Sequence, residues 1–249
     1  MAGSDALSDC IDCVAGKYLD VAGSDDETDC IACVVGKYST GTGRSAAGGA
    51  DCIDCPAGAY IDITASDELS DCIDCGADTY LEVTGSDDVS DCIACPDYSG
   101  TLAAAGSDAP ANCTCDAGYT GTIVTGSDTC TTCAANEYKE NPGNAACTAC
   151  PSDSLATAAS AAIDPSVCLC NAGHSGPIVQ NTDVCTACAP GTYKAVTGTG
   201  TCIACSGGSM TDTLDAAGAV SCRGCAAGRF SDVATEPCGC RDAGVACRW

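Results

Sequence analysis

Apolar positions along this chain come singly and close to polar neighbours. Segments such as Tyr18-Leu19-Asp20-Val21 alternate apolar and polar residues over a few positions. That period of two predicts short two-stranded β-ribbons. The stretches between, such as Gly23-Ser24-Asp25-Asp26, are turn-forming. Helical periodicity is weak. Ala156 to Ala162 is the best helix candidate, but it is short and Pro165 follows it. An aromatic recurs at Tyr18, Tyr38, Tyr60, Tyr80, Tyr138, Tyr193 and Phe230, always five residues past a cysteine pair. Each is expected to cover the disulfide of its own module, as a small local core.

The cysteines set the period. There are 27 in 249 residues, in ten C-x-x-C and three C-x-C pairs that recur every 16 to 22 residues, plus Cys247. A period of that size marks a linear array of small modules. Residues 1–112 hold five near-identical repeats of D-C-I-[D/A]-C, at 9–13, 29–33, 51–55, 71–75 and 91–95. Residues 113–222 hold two 55-residue super-repeats, each with one C-x-C and two C-x-x-C pairs. Residues 223–249 form a degenerate terminal module. Three residues past each pair stands Gly, Asn or Asp in 11 of 13 modules, with Tyr98 and Ala243 as the exceptions. These residue types tolerate positive φ, so the slot calls for a left-handed turn.

Composition changes the picture in one respect. Leu, Ile, Val and Phe fill only 34 of 249 positions and the net charge is -25. That balance alone predicts disorder. Disulfides supply the missing constraint, each worth about 3 kcal/mol for a loop of roughly 15 residues in the chain-entropy account. Such bridges persist outside the cytosol, so the expected location is extracellular or cell-surface. No stretch approaches the ~20 apolar residues of a membrane span, so no direct membrane insertion is expected. Met1 to Asp9 lacks the features of a secretory signal. It reads instead as the tail of a repeat, Ala2-Gly3-Ser4-Asp5 matching Ala22-Gly23-Ser24-Asp25. The expectation is a fragment of a longer secreted or membrane-anchored protein, or an incomplete gene model. The acidic balance argues against nucleic acid and anionic membrane surfaces as partners.

The motif C-x-x-G-x-Y, with a further cysteine about ten residues on, resembles the first module of tumour necrosis factor receptor cysteine-rich domains. The whole array more closely resembles ephrin-receptor-like cysteine-rich repeats. Cys113 to Tyr119 and Cys168 to His174 also resemble the end of an epidermal-growth-factor-like module. The resemblance implies a small disulfide-rich fold: an elongated tandem array of short β-ribbons and turns, with little helix and no single globular core. It implies no kinase, since the chain has no H-R-D, no D-F-G and no Gly-rich loop with its lysine.

In the resembled receptor module, the cysteine before G-x-Y bonds the next cysteine along. Carried over, this implies Cys13–Cys30, Cys33–Cys52, Cys55–Cys72, Cys75–Cys92, Cys95–Cys113, Cys115–Cys130 and Cys133–Cys147. It continues with Cys150–Cys168, Cys170–Cys185, Cys188–Cys202, Cys205–Cys222, Cys225–Cys238 and Cys240–Cys247. Cys10 is left unpaired, its partner expected upstream of Met1. Sequence alone does not fix connectivity.

Sharper chemistry meets blander readings. Paired C-x-x-C also fits zinc ribbons, though the C-x-C pairs and the acidic surface argue against them. Redox catalysis needs a βαβ scaffold that is not visible. The acidic turns Asp25-Asp26-Glu27, Asp67-Glu68 and Asp87-Asp88 offer calcium ligands, but no D-x-D-x-D-G loop exists, and solvated turns explain them better. The single histidine, His174, stands where Tyr119 stands 55 residues earlier and reads as an aromatic substitute. Asn112-Cys113-Thr114 is formally a glycosylation sequon.

The expected role is a non-catalytic ectodomain segment, acting as spacer, adhesion surface or ligand-binding stalk. No catalytic, cofactor or metal residue is assigned; calcium is the one cofactor kept open. The expected partner is a protein or glycan of unknown identity. Residues 9–95 are uniform and read as spacer, whereas the more varied second zone is where a ligand surface is expected. Two rivals stand beside this: a calcium-dependent adhesion or matrix module, and a zinc-binding C-x-x-C array.

Overall fold

The computed structural model describes residues 11–20, 24, 26–43, 51–156, 161–227 and 229–240. Among them the strands are two or three residues long and form twelve two-stranded antiparallel ribbons, with single parallel bridges from Tyr38, Tyr60 and Tyr80 to Ser66, Ser86 and Ser107. One rule places them all. The first strand of a ribbon begins a few residues past one cysteine pair, and the second crosses the next pair. Thus β1 (Lys17–Tyr18) pairs with β2 (Ile31–Ala32), with Tyr18 opposite Ile31. β3 (Lys37–Tyr38) and β4 (Ile53–Asp54) repeat this with Tyr38 opposite Ile53. A two-residue ribbon is not stable alone in water. A disulfide closing its loop holds each one in register.

Short 3-10 turns at Glu27–Asp29, Leu69–Asp71, Val89–Asp91, Pro110–Asn112 and Pro165–Val167 each end at a cysteine. No α-helix occurs among the described residues. Of the weak helix candidate Ala156 to Ala162, Ala156 ends the strand Ser154–Ala156 and Ala161 and Ala162 are irregular, while residues 157–160 lie outside the described residues. Ala162 works in packing. Its carbonyl accepts the Lys139 amide at 2.9 Å, and its side chain is buried against Tyr138 and sulfur.

The chain divides into two compact units, Met1–Asp116 with Gly121–Cys130 and Pro142–Asn144, and Ala117–Thr120 with Thr131–Asn141 and Ala145–Trp249. In the first, backbone hydrogen bonds run through three successive modules. The Gly16 amide donates to the Ser39 carbonyl (2.8 Å), and the Ser39 amide donates to the Ser66 carbonyl (3.0 Å). Gly36, Ile61 and Ser86 repeat the relay at 2.9 and 3.1 Å, and Gly58, Leu81 and Ser107 at 2.9 and 3.0 Å. Return bonds of 2.9 Å run from the Gly43, Ala65, Gly85 and Gly106 amides to the Cys13, Cys33, Cys55 and Cys75 carbonyls.

The second unit uses the same relay. Gly118 donates to Lys139 and Lys139 to Ala162, both at 2.9 Å; Gly173 donates to Lys194 at 2.8 Å and Lys194 to Ala219 at 3.2 Å. A cluster of buried side chains in this unit joins Tyr138, Ala162, Ile178, Cys168 and Cys170. Sulfur and backbone therefore replace the aliphatic core that the composition denies.

Candidate functional site

The structure brings together twelve cysteine pairs: 13–30, 33–52, 55–72, 75–92, 95–113, 115–130, 133–147, 150–168, 170–185, 188–202, 205–222 and 225–238. Their Cα atoms lie between 5.5 and 5.8 Å apart, within the range that a disulfide spans. Cys10 and the Cys247 end of Cys240–Cys247 lie outside the described residues. The loops close in sequence without overlap. Only the one or two residues between paired cysteines, such as Ile31–Ala32, fall outside every loop.

The corner three residues past each pair is left-handed at every described position from 16 to 208. Tyr98, an exception by residue type, is none by conformation: its φ is 61°. The glycines carry a second constraint. A Cβ on Gly16, Gly36, Gly58, Gly118 or Gly173 would come within 3.0 Å of a loop carbonyl two modules on: Ala65, Gly85, Gly106, Ala161 and Gly218 respectively. At two of the corners that are not glycine, the side chain takes over part of the relay. Asp78 Oδ1 accepts the Thr101 amide at 3.0 Å, and Asn136 Oδ1 accepts the Ala156 amide at 2.9 Å.

The residue three beyond the corner is the one that sequence reasoning missed. Leu19, Ser39, Ile61, Leu81, Thr101, Lys139, Lys194, Thr211 and Ser231 occupy it and are buried, whereas Gly121, Ala156 and Gly176 at the same position are half-buried. The two lysines stand 55 residues apart and are each 4% exposed. Lys194 Nζ donates to the Cys170, His174 and Gly198 carbonyls at 2.9, 2.8 and 2.5 Å. Lys139 Nζ donates to the Tyr119 carbonyl at 2.7 Å. Burial pushes the Lys194 ammonium below the usual lysine range, while the three carbonyls oppose that by favouring the charged form. The recurrence of Tyr-Lys at 138–139 and 193–194 was the available signal.

Two of the aromatics, Tyr138 and Tyr80, reach beyond their own modules. Tyr138 sits in a cluster with Cys168 and Cys170, with Cys150 and Cys185 packed against it, the sulfurs of the next two bridges. The Tyr80 phenol lies where a Cβ on Gly126 would stand. The acidic turns are capped from within: Asp26, Asp88 and Asp164 accept the amides two residues on, and Asp71, Asp128 and Asp183 accept amides three and four residues back. These bonds hold the Asp26, Asp88, Asp128, Asp164 and Asp183 carboxyls below the ordinary 3.8.

A family model described as tyrosine-protein kinase ephrin type A/B receptor-like matches residues 41–92, 118–168 and 176–225, together more than half of the chain. The chain belongs to the ephrin-receptor-like family. No curated protein matches it. The ephrin-receptor-like repeats and the twelve bridges point to an extracellular domain. Among the described residues no helix is long and apolar enough to cross a membrane.

Within these repeats His174 is a strand residue, half-buried opposite Ala187, with Nε2 3.8 Å from Asp153 Oδ2. A mostly apolar cleft of about 260 Å³ opens in the second ephrin-receptor-like zone, lined by residues including Leu169, Pro177, Ile178, Val179 and Thr201.

Proposed function

We propose that this chain is a non-catalytic extracellular segment that serves as a spacer between other parts of a cell-surface or secreted protein. The observation that carries the reading is the backbone relay. The corners Gly16, Gly36, Gly58, Gly118 and Gly173 are each tied to the next module and press against the one after it. A flexible tether needs bonds only within modules; a spacer needs them between modules. The bridges add the limit on chain entropy that the sparse apolar residues do not provide. The reading takes protein or glycan ligands to bind, if anywhere, on the more varied second zone, and it requires no cofactor. Twelve bridges take up the sulfurs that a zinc array would use.

Small-angle scattering of the oxidised chain tests this. A stiff spacer gives a rod-like profile whose maximum dimension is unchanged between low and high salt. A flexible chain stretched by its charge of -25 contracts as salt screens it. Contraction, or a freely jointed profile, overturns the spacing role. Calorimetry at about millimolar calcium checks the rival adhesion reading, and no heat is the expected result.

A further inference from the structure

We infer that Asn112 is an N-glycosylation site. The inference rests on the extracellular reading above, since the transfer occurs in the secretory pathway. Asn112 is the last residue of the 3-10 turn Pro110–Asn112; Pro110 is buried, but Ala111 and Asn112 are exposed. Its Nδ2 donates to Asp108 Oδ1 at 2.9 Å. The equivalent residue in neighbouring repeats is Asp29, Asp71 or Asp91. There a carboxylate can close the turn on itself, as Asp71 Oδ2 does by accepting the Asp67 and Glu68 amides at 3.0 and 3.2 Å. In this module that carboxylate gives way to an amide bonded to an exposed side chain.

The surface beside it changes in the same module. Elsewhere in the first zone the ribbon presents a tyrosine opposite an exposed isoleucine: Tyr18 and Ile31, Tyr38 and Ile53, Tyr60 and Ile73, Tyr80 and Ile93. Here the pair is Gly100 opposite Thr114. Removal of both large apolar groups leaves a small polar surface next to Asn112, with the Thr114 hydroxyl within 3.4 Å of the Gly100 carbonyl. The same module falls in residues 93–117, between two family matches. Three departures therefore coincide: the amide, the hydroxyl two residues on, and the loss of the aromatic–isoleucine pair.

In the transfer, Asn112 Nδ2 forms a bond to the anomeric carbon of an oligosaccharide carried on a polyprenyl diphosphate. The anomeric C–O bond breaks, the diphosphate carrier leaves with the electron pair, and the Nδ2 proton passes to a base of the transferase. Cys113, between the two recognised residues, is fully buried and bonded to Cys95. Transfer must therefore precede closure of that bridge.

The full chain, placed behind a secretory leader and expressed in eukaryotic cells, is treated with peptide-N-glycosidase and weighed. The expected result is a loss of mass on treatment, absent in Thr114→Ala and in Asn112→Asp, which restores the residue of the other repeats and keeps the turn. A secreted chain with its bridges formed and no enzyme-sensitive mass overturns the site and leaves the extracellular reading standing. A chain that stays inside the cell with free thiols overturns both.

Discussion

A glycine at the corner does two separable jobs, and the structure holds positions that divide them. Gly58 has φ 87° and faces the Gly106 carbonyl, whereas Gly208 has φ 80° and open space where a Cβ would stand. Gly208→Ala should cost only the left-handed penalty, about 1–2 kcal/mol. Gly58→Ala should cost about 1–3 kcal/mol more, because a carbonyl must move. Amide hydrogen exchange local to each corner reads both, and equal losses would show that the close approach carries no weight. The corner was legible in sequence because its constraint selects residue type. The buried position three residues on was not, for its backbone amide and carbonyl do the joining while its side chain varies from Leu81 to Ser39 to Lys194. At that position the buried lysines predict a further outcome. An amine-acylating reagent should modify Lys17 and Lys37 quickly, and Lys139 and Lys194 slowly, as read by peptide mass; equal rates would contradict the burial.

Ribbons and turns were both visible from short alternation and from turn-forming residues, but that each second strand crosses a cysteine pair was not. The helix candidate over Ala156 to Ala162 was weak in sequence, and its middle, residues 157–160, lies outside the described residues. Alanine's helix propensity is a weak prior, and here a relay bond and a buried cluster claim Ala162 instead. The same elements predict an acid response. Asp26, Asp88 and Asp164 titrate below 3.8 when folded because each accepts amide and hydroxyl hydrogen bonds. The stability they add is therefore present above pH 3.8 and lost as pH falls through the lowered folded values. Amide resonances of Thr28, Ser90 and Ser166 should shift together in that acid window while the bridges keep the modules closed. Shifts centred above 3.8 would contradict the caps.

At the scale of the molecule, the disulfide-rich class followed from cysteine content and spacing. The coupling between modules did not, because it is made of backbone atoms and leaves only glycine as its trace. The bridges have a consequence for cleavage. A protease cut inside a closed loop leaves both sides joined by sulfur, so it nicks the chain without dividing it. Lys17, Lys37, Arg44, Lys139, Lys194 and Arg229 all fall inside such loops, whereas Arg223 lies between Cys222 and Cys225, which no bridge spans. Trypsin acting on the oxidised protein should therefore divide the stretch from Cys13 to Cys238 only after Arg223; apart from the cysteine-free peptide 38–44, which two cuts within one loop excise, only reduction should free the smaller fragments. A ladder of fragments before reduction would refute the loop order. The peptide bonds whose loss would sever the molecule are those between paired cysteines, and the fold places them in the second strands of its ribbons, where hydrogen bonds resist the extended pose a protease needs.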